Sequence, residues 1–354
     1  MNYQTRISLL QKKVPPKTAL LISDSAHLFY LTGIQQLTPE EREGFLLVSD
    51  SAIVCFLTPF SPLPTNINIP VHHMSSQAPF TELIGEWSKK NQINSIQFDG
   101  NTLFVQEFET IKTKLSQLSF EMIKVDPLDE LRMIKDESEI LLIRKANSLT
   151  HEAILEMKKK IKVGMSEKAV KKLLEVYLSD QGVETMAFPT IVAFSDNSAL
   201  PHHQPTDRKL KENEVILIDI GAKWQGYCAD VTRTFWFGDT PSQQFTKVER
   251  IVKHAYSTAL KTCNSDKQLQ AKDIDQVARS VITKAGYGLQ FIHTTGHGVG
   301  IVVHEPPSLN WKNDQLLPDH CVITIEPGIY LPGQFGYRFE NSVLFSSKGC
   351  EELI

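Results

Sequence analysis

Four carboxylates stand where an extended apolar chain should have none. Asp219 interrupts VILIDIG, Asp230 adjoins VTRTFWF, Glu326 ends the apolar run of VITIEPGIY, and Glu340 precedes the apolar run of GYRFENSVLF. Burying an ionised carboxylate is expensive unless something positive lies against it. No Lys or Arg sits next to Asp219 in its run, so a metal ion is the economical explanation. A further stretch, HTTGHGVGIVVHEPP, adds His293, His297 and His304 in a Gly-rich setting. Each residue alone says little, because a lone His is usually a hydrogen-bonded core residue and a strand-end Glu is usually solvated. Their convergence on one half of the chain is what carries weight.

The charge sum points the same way. Four carboxylates would repel one another without cations, and two divalent ions would cancel them. Carboxylates with one imidazole favour Mn²⁺, Zn²⁺ or Co²⁺ over thiolate-seeking ions. Two bridged ions sit roughly 3.5–4 Å apart, hold a hydroxide between them, and can lower the pKa of water to about 7. That is the chemistry of hydrolysis. Other catalytic patterns fail: no Gly-Lys-Ser/Thr follows Gly296–Gly300, His151-Glu152 and His304-Glu305 lack a second His four residues after the first, and no Gly-x-Ser-x-Gly occurs. Cys228 reads as a small buried hydrophobe.

These residues need strands to present them. Val215–Ile220 and Asp230–Phe237 are rich in β-branched and aromatic residues and are joined by a Gly-containing turn. Further strands are predicted at Thr190–Phe194, Val322–Ile325 and Ser342–Phe345. A long helix should open at Asp136, and a second after Gly164 with Ser166 as its cap. Two more are predicted over Thr246–Thr262 and Asp273–Ala285. Helices segregated from a mostly antiparallel sheet make an α+β domain.

The preceding part reads as a smaller α/β unit. It has strands at Ala19–Ile22, Phe45–Val48, Ala52–Leu57 and Ser95–Phe98, and helices over Thr81–Lys90 and Val105–Leu115. Pro59, Pro62, Pro64 and Pro70 punctuate a loop region, and His72-His73 reads as a solvated loop pair. Asp126-Pro127 is a break, so the domains are set at 1–127 and 128–354.

Composition bounds the rest. A chain of 354 residues suits two domains, and 41% hydrophobic with 22% charged residues is ordinary for a globular protein. A net charge of −4 offers no basic field for nucleic acid or anionic lipid. The N-terminus lacks the apolar core of a signal peptide, and no run is long enough to span a bilayer. Five cysteines without a Cys-x-x-Cys pair fit a reducing compartment, so a cytoplasmic location is expected.

In order along the chain, FYLTGI, EREGFLLV, LRMIKDESEILLIRKA, DIG with GYCADVTRTF, GHGVGIVVHEPP, TIEPGIY and GYRFEN resemble the metallopeptidases of the creatinase/methionine-aminopeptidase superfamily. The likeness is specifically to Xaa-Pro aminopeptidases and prolidases, and it covers nearly the whole chain. It implies a pita-bread catalytic domain behind a creatinase-like N-terminal domain. It also implies that Asp219, Asp230, His297, Glu326 and Glu340 ligate two metal ions, Mn²⁺ first and Co²⁺ or Zn²⁺ as alternatives. His304 would hydrogen-bond the scissile carbonyl or its oxyanion, and His202 would line the site near the residue after the cut bond. His293 would be a further pocket histidine, while Arg338 and Tyr330 would support the ligands or touch substrate.

The implied mechanism has a bridging hydroxide, oriented by Glu326, attack the carbonyl before proline. Glu326 then returns the proton to the leaving imino nitrogen. The substrate amine, held near a metal, would restrict cleavage to the first peptide bond. Three positions depart from the pattern: Ser195 stands where Gly is frequent, Val302 where an acid is common, and Asn341 where Asp often follows the Glu. The expected activity is an Xaa-Pro aminopeptidase acting on proline-containing peptides, and the resemblance suggests a homodimer. A prolidase is the alternative and would need a cationic contact for the dipeptide carboxylate. A non-catalytic binding protein on the same fold is a third reading, disfavoured because all five ligand residues are present.

Overall fold

In a computed structural model, residues 2–35, 42–64, 67–264, 268–346 and 348–354 are described. The chain divides into two units, Met1–Arg132 and Met133–Ile354.

In the first unit the apolar runs form the strands Thr18–Ile22, Gly44–Ser49, Ile53–Leu57 and Ser95–Phe98. Val71–His73 and Ser119–Met122 extend these at either edge to a six-stranded mixed sheet. His72 and His73 are thus exposed residues of an edge strand, paired in parallel with Phe56 and Leu57, and not a loop. An edge strand needs one partner only, so a short polar segment suffices. The strand carrying GFLLV is described, whereas Glu41 of the EREGFLLV stretch lies outside the described residues. Helices Phe80–Lys90 and Val105–Lys114 pack apolar side chains on the sheet. At Asp126-Pro127 a short helix, Pro127–Met133, begins; proline suits a first helical position, where no partner exists for an N–H.

The second unit is built as α+β. Asp136 caps the helix Glu137–Lys160 in a capping box with Glu139, and Ser166 caps Glu167–Asp180 through the Ala169 N–H. These two helices cover one face of the antiparallel sheet formed by Val231–Phe237, Glu214–Ile220 and Ile191–Phe194. Helices Gln243–Cys263 and Ala271–Lys284 cover a second, five-stranded antiparallel sheet. Its strand order is Glu305–Leu309, Gly296–Gly298, Cys321–Ile325, Asn341–Ser346 and Gly349–Glu352. The hairpin Gly328–Leu331 with Phe335–Arg338 completes the surroundings of the carboxylates. All five cysteines are free thiols; Cys228 is buried, its Sγ donating to the Ile301 carbonyl. Among the described residues no helix is long and apolar enough to cross a membrane.

Candidate active site

Two antiparallel strand pairs deliver the four acids. Asp219 is the penultimate residue of Glu214–Ile220 and lies opposite Thr232, while Asp230 immediately precedes the partner strand Val231–Phe237. In the other sheet Ile325 pairs with Asn341, so Glu326, just past one strand, lies beside Glu340, just before the next. The turn after Asp219 is tight: a Cβ on Gly221 would come 1.9 Å from the Ala229 carbonyl oxygen. His297 comes from the three-residue strand Gly296–Gly298, where a Cβ on Gly296 would meet the Thr324 carbonyl at 2.0 Å. Glycine is required at both close approaches.

The structure brings all five expected ligands together. Ligand atoms of Asp219, Asp230 and Glu340 lie within 4.8 Å of one another, as do those of His297, Glu326 and Glu340 and those of Asp230, His297 and His304. Asp219, Asp230 and Glu340 are buried. Burial and the mutual repulsion of the acids raise Asp230 and Glu340 well above the usual carboxylate range. Burial, with the Asp219 charge, raises Glu326 to about 8 despite the opposing pull of Arg338.

Two details test whether these residues suit a cation. The Nδ1 of His297 is bonded to the Gly298 carbonyl at 3.0 Å, which makes it the protonated nitrogen and leaves Nε2 with a lone pair. That lone pair faces oxygens of Glu326 and Asp230 at 3.4 and 3.6 Å, which become acceptor against acceptor once the two acids are ionised. Burial also lowers the His297 pKa, which favours the neutral ring. In addition, among the described residues Asp219 Oδ1 is buried without a hydrogen-bond partner. Converging bare acceptors of this kind suit divalent metal ions.

Arg338 binds the cluster from behind. Buried, it donates from Nη2 to Asp219 Oδ2 at 2.5 Å, from Nη1 to the Tyr330 hydroxyl at 2.6 Å and from Nε to Thr232 Oγ1 at 3.0 Å. Thr232 in turn donates to Glu340 Oε2 at 2.6 Å. Since Tyr330 accepts from Arg338, its own proton goes to His293 Nε2 at 2.9 Å, and His293 Nδ1–H donates to the Thr294 carbonyl at 2.7 Å. Burial, then the Arg338 charge, lower His293 to about 3. Tyr330 thus joins His293 to Arg338, and it is not among the residues of the described cavity wall.

The acids line a cavity of about 660 Å³ whose wall includes His202, His293, His297 and His304. Its apolar wall comes from Phe188, Pro189, Ile191, Pro201, Pro306 and Pro307. His304 is at the exposed mouth, its ring edge-on to His297 with centroids 4.3 Å apart. Partial burial, then the neighbouring imidazoles of His297 and His202, lower its pKa. Val302 is exposed nearby, and Ser195 takes a left-handed φ of 47° at the start of the segment that leads to His202. Asn341 joins Arg233, Tyr256 and Glu352 in a polar chain behind Glu340.

Sequence reasoning missed three supports. Thr232 bridges Arg338 to Glu340, Lys135 pairs with Glu305 of the wall at 2.7 Å with both side chains buried, and Glu167 gathers the His202 segment. Glu305 had drawn notice only as part of a failed His-Glu motif; Thr232 and Thr234 recur at the two-residue period of a strand in VTRTF, a signal that could have been read.

Residues 142–347 match metallopeptidase family M24, and residues 15–134 match the creatinase/prolidase N-terminal domain. A Staphylococcus aureus (strain MSSA476) protein, named as an uncharacterized peptidase, is 34% identical over 342 residues, 95% of this chain and 94% of its own. The X-Pro aminopeptidase from Thermotoga maritima MSB8 is 32% identical with a TM-score of 0.87, over 99% of this chain and 96% of that one. A prolidase from Thermococcus sibiricus is 33% identical with a TM-score of 0.88, over 100% of this chain and 97% of that one.

Proposed function

The chain belongs to metallopeptidase family M24, and from that premise we propose that it is an Xaa-Pro aminopeptidase, releasing the N-terminal residue of peptides with proline second. The observation that carries the proposal is the meeting of four carboxylates and a bare imidazole nitrogen at the floor of an open cavity. Asp219, Asp230, His297, Glu326 and Glu340 would hold two divalent ions, Mn²⁺ in the first instance. When bound, such ions supply a water acidic enough to attack a peptide carbonyl at neutral pH.

The residues of the chain do the rest. Glu326 takes up the proton and passes it to the imino nitrogen of the leaving proline. An N–H of His304, at the cavity mouth, donates to the carbonyl oxygen as negative charge develops there. His202 contacts the residue after the cut bond, and the walls of Phe188, Ile191, Pro306 and Pro307 suit a pyrrolidine ring. Arg338 and Tyr330 fix Asp219 and His293 in place.

Similarity does not separate aminopeptidase from dipeptidase, since relatives of both kinds stand equally near. The commitment of Arg338 favours the aminopeptidase. Three of its five N–H groups already donate to Asp219, Tyr330 and Thr232, and the described cavity wall contains no other Arg and no Lys. A dipeptide carboxylate would therefore compete for a guanidinium already tied to Asp219, Tyr330 and Thr232, whereas a longer peptide would need none. The test is hydrolysis of Xaa-Pro beside Xaa-Pro-Yaa by metal-stripped protein resupplied with Mn²⁺, Co²⁺ or Zn²⁺. We expect kcat/KM at least about tenfold higher on the tripeptide, a preference of roughly 1.4 kcal/mol. The reverse ratio indicates a prolidase, and no turnover with any metal indicates a binding protein. Asp219→Asn or Glu326→Gln should abolish turnover with the fold retained, and full activity in either would refute the assignment.

A further inference from the structure

We infer that Glu167 is a positioning residue for substrate, its carboxylate anchoring the segment 194–206 so that His202 stays in the cavity wall. The inference rests on the functional reading above.

Glu167 is the first residue of the helix Glu167–Asp180 and is completely buried. Its Oε1 accepts from the Phe194 N–H at 2.9 Å and Asn197 Nδ2 at 2.8 Å. Its Oε2 accepts from His203 Nε2 at 2.9 Å, the Thr206 N–H at 2.9 Å and Thr206 Oγ1 at 2.7 Å. One carboxylate thus collects five bonds from four residues that bracket His202 on both sides. The adjacent histidines divide the work: His203 is buried against Glu167, while His202 is exposed to the cavity. Among the described residues no side-chain hydrogen bond holds His202 itself, so its place follows from how the segment is tied. A second tie joins the segment to the strand of Arg338, through the Gly336 N–H to Ser198 Oγ at 2.8 Å.

Only an ionised acid can accept this many donors, because a carboxylate has acceptor sites alone. Glutamine at 167 would turn two N–H groups toward donors that already point inward, and could not close the network. Burial alone would raise the Glu167 pKa, but the bonds from Thr206, Asn197, His203 and Phe194 together bring it below the ordinary value.

The experiment compares hydrogen exchange across 194–206 and steady-state kinetics on Xaa-Pro-Yaa in the metal-loaded wild type, Glu167→Gln, His202→Ala and the double variant. Exchange in the segment should quicken in Glu167→Gln, and kcat/KM should fall at least about tenfold, as a displaced contact group can cause. Because Glu167 acts through His202, the double variant should match His202→Ala within about twofold. Thr206→Val, which deletes one hydroxyl donor, should show the same effects to a smaller degree, and Thr206→Ser should behave as wild type. This pair decides the matter if Glu167→Gln does not fold. Penalties that multiply in the double variant would overturn the positioning role, as would an effect on melting temperature with kinetics unchanged. Normal wild-type turnover with undisturbed exchange in Glu167→Gln sinks the anchor alone. Absence of hydrolysis by the wild type sinks the functional reading, and the positioning role with it.

Discussion

Loading metal into the stripped protein should expel protons, and the number can be worked out from the site. Four carboxylates face one guanidinium, and burial with mutual repulsion raises three of them. Glu326, at about 8, is roughly nine-tenths protonated at pH 7. Asp230 and Glu340 are shifted in the same direction, upward, by burial and by the neighbouring acids. Divalent ions require these oxygens ionised, so binding at pH 7 should release about one proton or more per protein, Glu326 supplying the first. Apparent affinity should then climb about tenfold or more between pH 6 and 7. Titration calorimetry of Mn²⁺ in two buffers of different ionisation enthalpy counts the protons directly. Linkage gives a second readout with a fixed sign. The folded pKa of Glu326 lies above its unfolded value near 4.5, so the stability it contributes is complete below that value and is lost as pH rises through about 8. The melting temperature of metal-free protein should fall across that window, and the gain on adding metal should widen. Release of fewer than about half a proton at pH 7, with a flat metal-free melting curve, would refute the electrostatic account of the cluster.

Other outcomes follow from single contacts. His304→Ala should lower kcat by at least about 10²-fold, as loss of an oxyanion donor can; an unchanged kcat in steady-state assays would make His304 structural. Lys135→Met strips the buried Glu305 of its ion-pair partner, 2.7 Å away, and should cost roughly 3–5 kcal/mol in urea unfolding. The Lys135→Met/Glu305→Gln pair should recover a large part of that loss, and an additive double variant contradicts the pairing. Ser195→Gly relieves a left-handed residue and should range from neutral to about 1 kcal/mol stabilising, strain relief being offset by backbone entropy. Clear destabilisation in the same unfolding assay would mean that the serine is needed there.

What was legible in the sequence follows from what a strand can hide. Asp219, Asp230, Glu326 and Glu340 stood out because each broke or bordered an apolar run, and an ion needs a partner wherever the chain then goes. Long segments with a helical period, such as Glu137–Lys160 and Gln243–Cys263, were equally plain. The helix Ser25–Thr32 was not, since seven of its eight residues are buried and no polar face marks a period; only its Asp24 cap and the left-handed Gly33 gave signs. The edge strand Ser119–Met122 is four residues long and largely exposed, so it carries no alternation to read. Glu167 and Lys135 could not be found at all, because a buried charge on a helix or connector has no local anomaly. Its partners lie 27 to 39 residues away for Glu167 and 170 away for Lys135.

The central hairpin shows why the acids had to appear where they do. Ile216, Ile218, Ile220 and Val231 face the core under the two N-terminal helices of the second unit. By the two-residue alternation of a strand, Leu217 and Asp219 must face the other way, paired with Thr234 and Thr232. Those threonines are bonded to Arg338, Thr232 to its side chain and Thr234 to its carbonyl. One face of the sheet is therefore core, and the other is the back wall of the site. A slip of one residue in this pairing would drive Asp219 into the isoleucine layer and turn Ile218 toward the cavity. The apolar face that fixes the register thus also fixes the aim of the carboxylate, and the metal site is held by the packing on the far side of its own strand.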